Sequence, residues 1–264
     1  LKRGKKNKKL FFLQLTETFT YLVSSIKKLV EYKIVHFDLK NDNILYNSIT
    51  KDPQIIDFGI SIPIGNLDEK NFKDHFYIYA PDYYIWPLEV HIIGYILYET
   101  DKTLTSNDAK LISDEYVKNN KALDIFSNNF RNLYKSSCEK VISQYINKSR
   151  NETINELIKF YKTWDNYSIS IVFLKLFDYI FPNGFFYNDF LIDFSQILLL
   201  NINPIPLKRL DLDETLKQFD DIFYKEGNIN TYLEITHDIV INSKTTIKII
   251  DAEMKEIRNI LKKN

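Results

Sequence analysis

Val35-His36-Phe37-Asp38-Leu39-Lys40-Asn41-Asp42-Asn43-Ile44-Leu45 is the stretch on which the reading of this chain turns. It follows a helical pattern and precedes a short strand pattern, so it reads as a loop held between two regular elements. Fourteen positions after Asn43 comes Asp57, inside Ile55-Ile56-Asp57-Phe58-Gly59. The two windows put an Asp, a Lys and an Asn on one loop and a second Asp on a neighbouring turn. Phosphoryl transfer needs such a set: a carboxylate to orient or deprotonate the attacking hydroxyl, and a cation to neutralise the moving phosphoryl group. A carboxylate and an amide oxygen are needed as well, to hold Mg²⁺ against the nucleotide phosphates. Gly59 is expected to supply the sharp backbone turn that aims Asp57.

Working outward, the apolar residues Leu13, Phe19, Leu22, Val23, Ile26, Leu29 and Val30 recur at three- and four-residue steps. They predict an amphipathic helix over about 12–32 with Thr16 or a neighbour near its start, behind a solvated basic lead-in of Lys2 to Lys9. Ile34–Val35, Ile44–Tyr46 and Gln54–Ile56 read as small strands around the loop. Beyond residue 88 the pattern is mostly helical, through 89–99, 108–118, 137–147, 152–162, 167–181, 189–201, 212–224 and 249–262. Polar breaks such as Ser127–Asn129 read as loops between these helices. The fold class expected is mainly α with a small β cluster.

Composition narrows the function classes. With 35 basic and 35 acidic residues among 264, nothing in the charge balance attracts nucleic acid or an anionic membrane. Aromatic residues make up 15%, which excludes a disordered chain. No uncharged apolar run approaches the ~18–20 residues of a membrane span. Cys138 is the single cysteine, so a disulfide framework is out, and four scattered His make a zinc site improbable. A charged opening without an apolar stretch behind it is not a secretory leader, and the expected setting is intracellular and cytoplasmic. None of the six glycines forms a Gly-x-Gly, so no phosphate-cradling loop of that kind is present.

His36-Phe37-Asp38-Leu39-Lys40-Asn41-Asp42-Asn43 resembles the H-R-D-L-K-x-x-N catalytic loop of protein kinases, with Phe37 for Arg, and Asp57-Phe58-Gly59 resembles their metal-binding turn. The resemblance implies that Asp38 orients or deprotonates the acceptor hydroxyl and that Lys40 neutralises phosphate charge. It also implies Asn43 and Asp57 as Mg²⁺ ligands, with ATP as nucleotide and Ser or Thr of a protein as acceptor. Tyr79-Ala80-Pro81-Asp82 resembles the Ala-Pro-Glu that closes the family's activation segment. Asn203-Pro204-Ile205-Pro206-Leu207-Lys208-Arg209 resembles the late segment whose Arg pairs with that acid, which implies an Arg209–Asp82 pair. Residues 83–89, Tyr-Tyr-Ile-Trp-Pro-Leu-Glu, look similar to kinases of large DNA viruses.

The start of the family's central helix, D-x-W-S-x-G, has two counterparts. Asp165-Asn166-Tyr167-Ser168-Ile169-Ser170 keeps the Asp, and Glu89-Val90-His91-Ile92-Ile93-Gly94 keeps the Gly. The first is preferred, which makes residues 84–163 a helical insertion within a kinase-like C-terminal lobe covering 1–264. Only 35 residues precede His36, so the family's N-terminal lobe, with its Gly-rich loop and strand Lys, is expected to be largely absent from this chain. Phe37 removes the Arg that receives a phosphorylated activation loop, so control by that modification is not expected. His75 falls near the family's substrate-positioning Thr. Two rival readings remain: a pseudokinase or scaffold without turnover, and a small-molecule phosphotransferase of the same superfamily.

Overall fold

The computed structural model describes residues 2–180, except 48 and 51, and residues 189–225. The expected helix at 249–262 lies outside them. Helix α1 (Lys2–Glu31) leads into β1 (Ile34–Val35), the loop of residues 36–43, β2 (Ile44–Tyr46), β3 (Pro53–Ile55) and β4 (Ile62–Pro63). A short helix α2 (Phe72–His75) follows, then α3 (Leu88–Tyr98), α4 (Ser106–Asn119), α5 (Asn128–Ser143) and α6 (Arg150–Ile158). Helices α7 (Trp164–Ile180), α8 (Asp189–Asn201) and α9 (Leu212–Phe223) complete the described residues. The chain is mainly helical, with two small two-stranded sheets, as composition and periodicity predict.

Helix α7 forms the axis. From Trp164 to Leu174 every side chain is buried, the polar Asp165, Asn166, Ser168 and Ser170 included, the mark of an interior helix. Helices α1 and α8 pack along it, and α9 covers both. Phe19 of α1 sits at the shared contact, with ring centroids 5.0 Å from Phe173, 4.7 Å from Phe194 and 5.1 Å from Phe219. These edge-on and tilted contacts give the directional packing that aromatic rings favour.

Two helix starts differ most from the pattern reading. Helix α1 starts ten residues earlier than expected, and Thr16 is buried inside it rather than near its start. The Lys-rich opening has no apolar period, yet Lys is a good helix former and simply continues the helix. Helix α5 starts at Asn128 instead of 137, because Ser127 is its N-cap: the Ser127 hydroxyl accepts a hydrogen bond from the Phe130 amide at 3.1 Å. The Ser-Asn-Asn run is therefore a helix start and not a loop.

Sheet register positions the loop. Strands β1 and β4 pair antiparallel through Ile34 with Pro63 and Val35 with Ile62. Strands β2 and β3 pair through Ile44 with Ile55, Leu45 with Gln54 and Tyr46 with Pro53. The ladder extends one step further, where the Ile56 amide donates to the Asn43 carbonyl at 3.0 Å. Asp57 is thereby set down beside Asn43. Among the described residues, no helix is long and apolar enough to cross a membrane.

Candidate active site

The loop is hung from the interior helix. Asp165, in the first turn of α7, accepts the His36 amide on Oδ2 at 2.7 Å and the Phe37 amide on Oδ1 at 3.0 Å. Asp165 is only 2% exposed. Burial pushes its carboxyl above the ordinary carboxylate range, and the two amides pull the other way without cancelling that effect.

With its amide so held, Phe37 adopts φ 70°, a left-handed conformation costing an aromatic residue about 1–2 kcal/mol. Packing offsets that cost. The Phe37 ring stacks on Trp86 at 4.8 Å and meets Phe76 at 5.8 Å and Trp164 at 6.3 Å. Its carbonyl accepts from the Trp86 indole N–H at 2.7 Å. Phe37 therefore fills an aromatic box, a site that suits an apolar ring and not a cation.

His36 is fully buried. Its Nε2 donates to the Ile56 carbonyl at 3.0 Å, which leaves Nδ1 to accept the Asp38 amide at 3.3 Å; one neutral tautomer satisfies both. The ring also meets Phe58 edge-on at 4.7 Å, linking the loop to the Asp57 turn. Asp38 is 7% exposed. Its Oδ2 accepts from Lys40 Nζ at 2.9 Å and from Asn43 Nδ2 at 2.9 Å, and Asn43 Nδ2 also reaches the Asp38 carbonyl at 2.9 Å. Its Oδ1 accepts from the Tyr83 hydroxyl. Asp38, Lys40 and Asn43 thus form one hydrogen-bonded cluster.

Asp57 is exposed and adopts φ 63°, with Oδ1 accepting the Gly59 amide at 3.3 Å. The left-handed residue of the turn is thus Asp57 and not Gly59. At 59 the glycine spares a tight contact, since a Cβ there would stand 3.1 Å from Asp57 Oδ1, which would have to shift by a few tenths of an ångström. Asn43 spends its amide nitrogen on Asp38, which leaves Oδ1 to accept or ligate. Asn43 Oδ1 and the Asp57 carboxylate are hard oxygen donors, a set that fits Mg²⁺ completing its shell with phosphate. Among the described residues no group of three or more His, Cys, Asp or Glu could hold a metal ion.

Arg209 does not pair with Asp82, which is exposed. Its Nη1 and Nη2 donate to the two carboxylate oxygens of Glu89 at 2.7 Å each, and both side chains are wholly shielded from solvent. Trp164 Nε1 donates to the same Glu89 at 3.3 Å. The two candidate helix starts are thereby separated: Asp165 holds the loop amides, and Glu89 holds Arg209. Gly94 on α3 serves a close crossing, since a Cβ there would meet the Ile78 carbonyl at 3.1 Å and the Tyr79 Cα at 3.2 Å.

The segment between Asp57 and Glu89 is tied to the helices by hydroxyls. Tyr79 donates to Glu115 of α4 at 2.6 Å, and Lys175 of α7 donates to the Tyr84 hydroxyl at 2.7 Å. The residue of this segment that meets Asp38 is Tyr83, while His75 lies half-buried on α2. Sequence reasoning singled out neither Tyr83 nor Trp86 individually; their only signal was the aromatic run 83–86. Comparison with protein-family models, with curated proteins and with solved structures finds no match to this chain in any of the three.

Proposed function

We infer that this chain carries the catalytic lobe of a protein kinase, transferring the γ-phosphoryl group of ATP to Ser or Thr hydroxyls of protein substrates. The observation that carries the reading is the Asp165 carboxylate gripping the His36 and Phe37 amides. It fixes, on the interior helix, a loop that gathers Asp38, Lys40 and Asn43 beside Asp57. Phe37 and Asp57 also hold left-handed backbone, as Lys33 and Asn147 do elsewhere, and beside a cluster of polar side chains such local strain supports the reading.

In this reading Asp38 accepts the proton of the acceptor hydroxyl as its oxygen attacks the γ-phosphorus and the bond to ADP breaks. Lys40, 2.9 Å from Asp38, supplies the cation beside the transferring group. Asn43 and Asp57 would hold Mg²⁺, which would supply neutralisation of nucleotide phosphate charge. His36 and Asp165 hold the loop's geometry. The Glu89–Arg209 pair closes the activation segment onto the lobe, and helices α4 to α6, within residues 84–163, are additional to the catalytic core.

The test is transfer of labelled γ-phosphate from MgATP to a Ser/Thr peptide mixture by the natural protein and by Asp38→Asn. Transfer that Asp38→Asn abolishes supports the reading. Nucleotide binding with no transfer to any acceptor would favour the scaffold reading instead. Transfer to small hydroxylic compounds in place of peptides would favour the small-molecule rival.

A further inference from the structure

Both oxygens of the Asp38 carboxylate are engaged, but not by equivalent partners. Oδ2 belongs to the loop itself, through Lys40 and Asn43. Oδ1 is the oxygen not spent on loop side chains, so it is the one an incoming acceptor hydroxyl must address, and the Tyr83 hydroxyl already donates to it. The contact is braced from every side. The Tyr83 ring stands edge-on to Trp86 at 4.6 Å, and Trp86 is anchored to the Phe37 carbonyl. The Tyr83 amide donates to the Ala80 carbonyl at 3.0 Å and its own carbonyl accepts from the Trp86 amide at 3.1 Å. Lys40 Nζ lies 6.0 Å from the ring centroid. Burial, and after it the hydrogen bond to Asp38, raises the phenol well above its ordinary pKa, so Tyr83 remains a neutral donor across the physiological range.

We propose that Tyr83 gates the acceptor subsite: its hydroxyl occupies the place on Asp38 Oδ1 that a substrate Ser or Thr hydroxyl takes, and each substrate must displace it. The proposal rests on the phosphotransfer reading of Asp38. It follows that water is kept from the same oxygen until a peptide arrives, so the gate trades acceptor affinity for suppression of futile ATP hydrolysis.

The experiment compares the natural protein with Tyr83→Phe and Asp38→Asn under MgATP, with and without a Ser/Thr peptide acceptor. A hydrogen bond to a charged partner that is removed only in the variant predicts a fall in peptide KM of roughly tenfold. The expected kcat stays within about twofold, and ATP hydrolysis without peptide rises, since a lost competitor acts on binding and not on the chemical step. Asp38→Asn should abolish both transfer and hydrolysis. If Tyr83→Phe leaves KM and hydrolysis unchanged while Asp38→Asn is inactive, the gate is overturned and the phosphotransfer reading stands. If Tyr83→Phe lowers kcat at constant KM, Tyr83 positions Asp38 and the gate is again overturned. If the natural protein transfers nothing, both fall. A second measurement needs no turnover: with ring-¹³C tyrosine, the resonance lost in Tyr83→Phe should titrate at a lower pH in Asp38→Asn. An unshifted titration would mean that the hydroxyl does not rest on Asp38, and the gate fails.

Discussion

Glu89 and Arg209, 120 positions apart in sequence, meet as a doubly hydrogen-bonded ion pair with both side chains wholly out of solvent. Removing one partner leaves an uncompensated buried charge, so Arg209→Ala or Glu89→Ala should destabilise by about 3–5 kcal/mol in urea denaturation. Glu89→Met combined with Arg209→Met should recover most of that loss, since no charge is then stranded. Additive losses in the double variant would show that the pair is not coupled as described.

Phe37 has a packing role, at the centre of three aromatic neighbours. Truncating it to Ala should cost about 3–5 kcal/mol, because three aromatic neighbours lose their common contact. On the proposed phosphotransfer reading, phosphatase treatment of the natural protein should leave the transfer rate within about twofold. A drop of more than about tenfold, ~1.4 kcal/mol in barrier, would contradict the absence of a phosphate-receiving cation at this position.

Asp57 separates conformation from chemistry. It is exposed, so Asp57→Ala should change stability by no more than about 1 kcal/mol, most of it from the left-handed backbone. Asp57→Asn tolerates that backbone and should be closer to neutral. Both should lower Mg²⁺-dependent phosphoryl transfer by about a thousandfold. Wild-type transfer in Asp57→Asn would remove Asp57 from the ligand set.

Acid should find His91. Among the described residues neither ring nitrogen has a hydrogen-bond partner, and the ring lies 2% exposed between Trp86 and Tyr116. Burial lowers its pKa to about 4, against a smaller opposing pull from the backbone of Trp86 and Tyr83. The unfolded chain takes up this proton near pH 6.5. Between those values the unfolded state binds more protons, so stability present above pH 6.5 is lost as pH falls toward 4, by about 3 kcal/mol. His91→Leu should flatten that part of the stability curve. Parallel wild-type and variant curves between pH 6.5 and 4 would show that His91 is not the titrating group.

The short-range features of this chain were readable and the long-range pairings were not. Asp38, Lys40, Asn43 and Asp57 stand within one local stretch whose strand pairing follows from its own polar and apolar pattern, so their proximity could be anticipated. Asp165 and Glu89 both open helices beneath apolar runs. Nothing local says which acid faces two backbone amides and which faces a guanidinium; the resemblance of Ala80-Pro81-Asp82 to Ala-Pro-Glu implies Asp82 for Arg209, whereas the structure pairs it with Glu89. Tyr83 escaped for a similar reason: where a phenol oxygen ends up depends on the path of the whole segment. The lysine-rich opening and the Ser127 cap were missed because helix formation there owes nothing to apolar period.

The tyrosine hydroxyls that tie residues 79 and 84 to α4 and α7 have a consequence for breathing motions. A surface segment free of such ties opens on its own, and its amides exchange with deuterium at little cost. Here opening the amides that Tyr83 and Trp86 donate within the segment carries the added cost of disturbing the neighbouring rings held by Glu115 and Lys175. Exchange at 83–86 should therefore run at the pace of the helical body, making this stretch part of the last unit to melt and not the first.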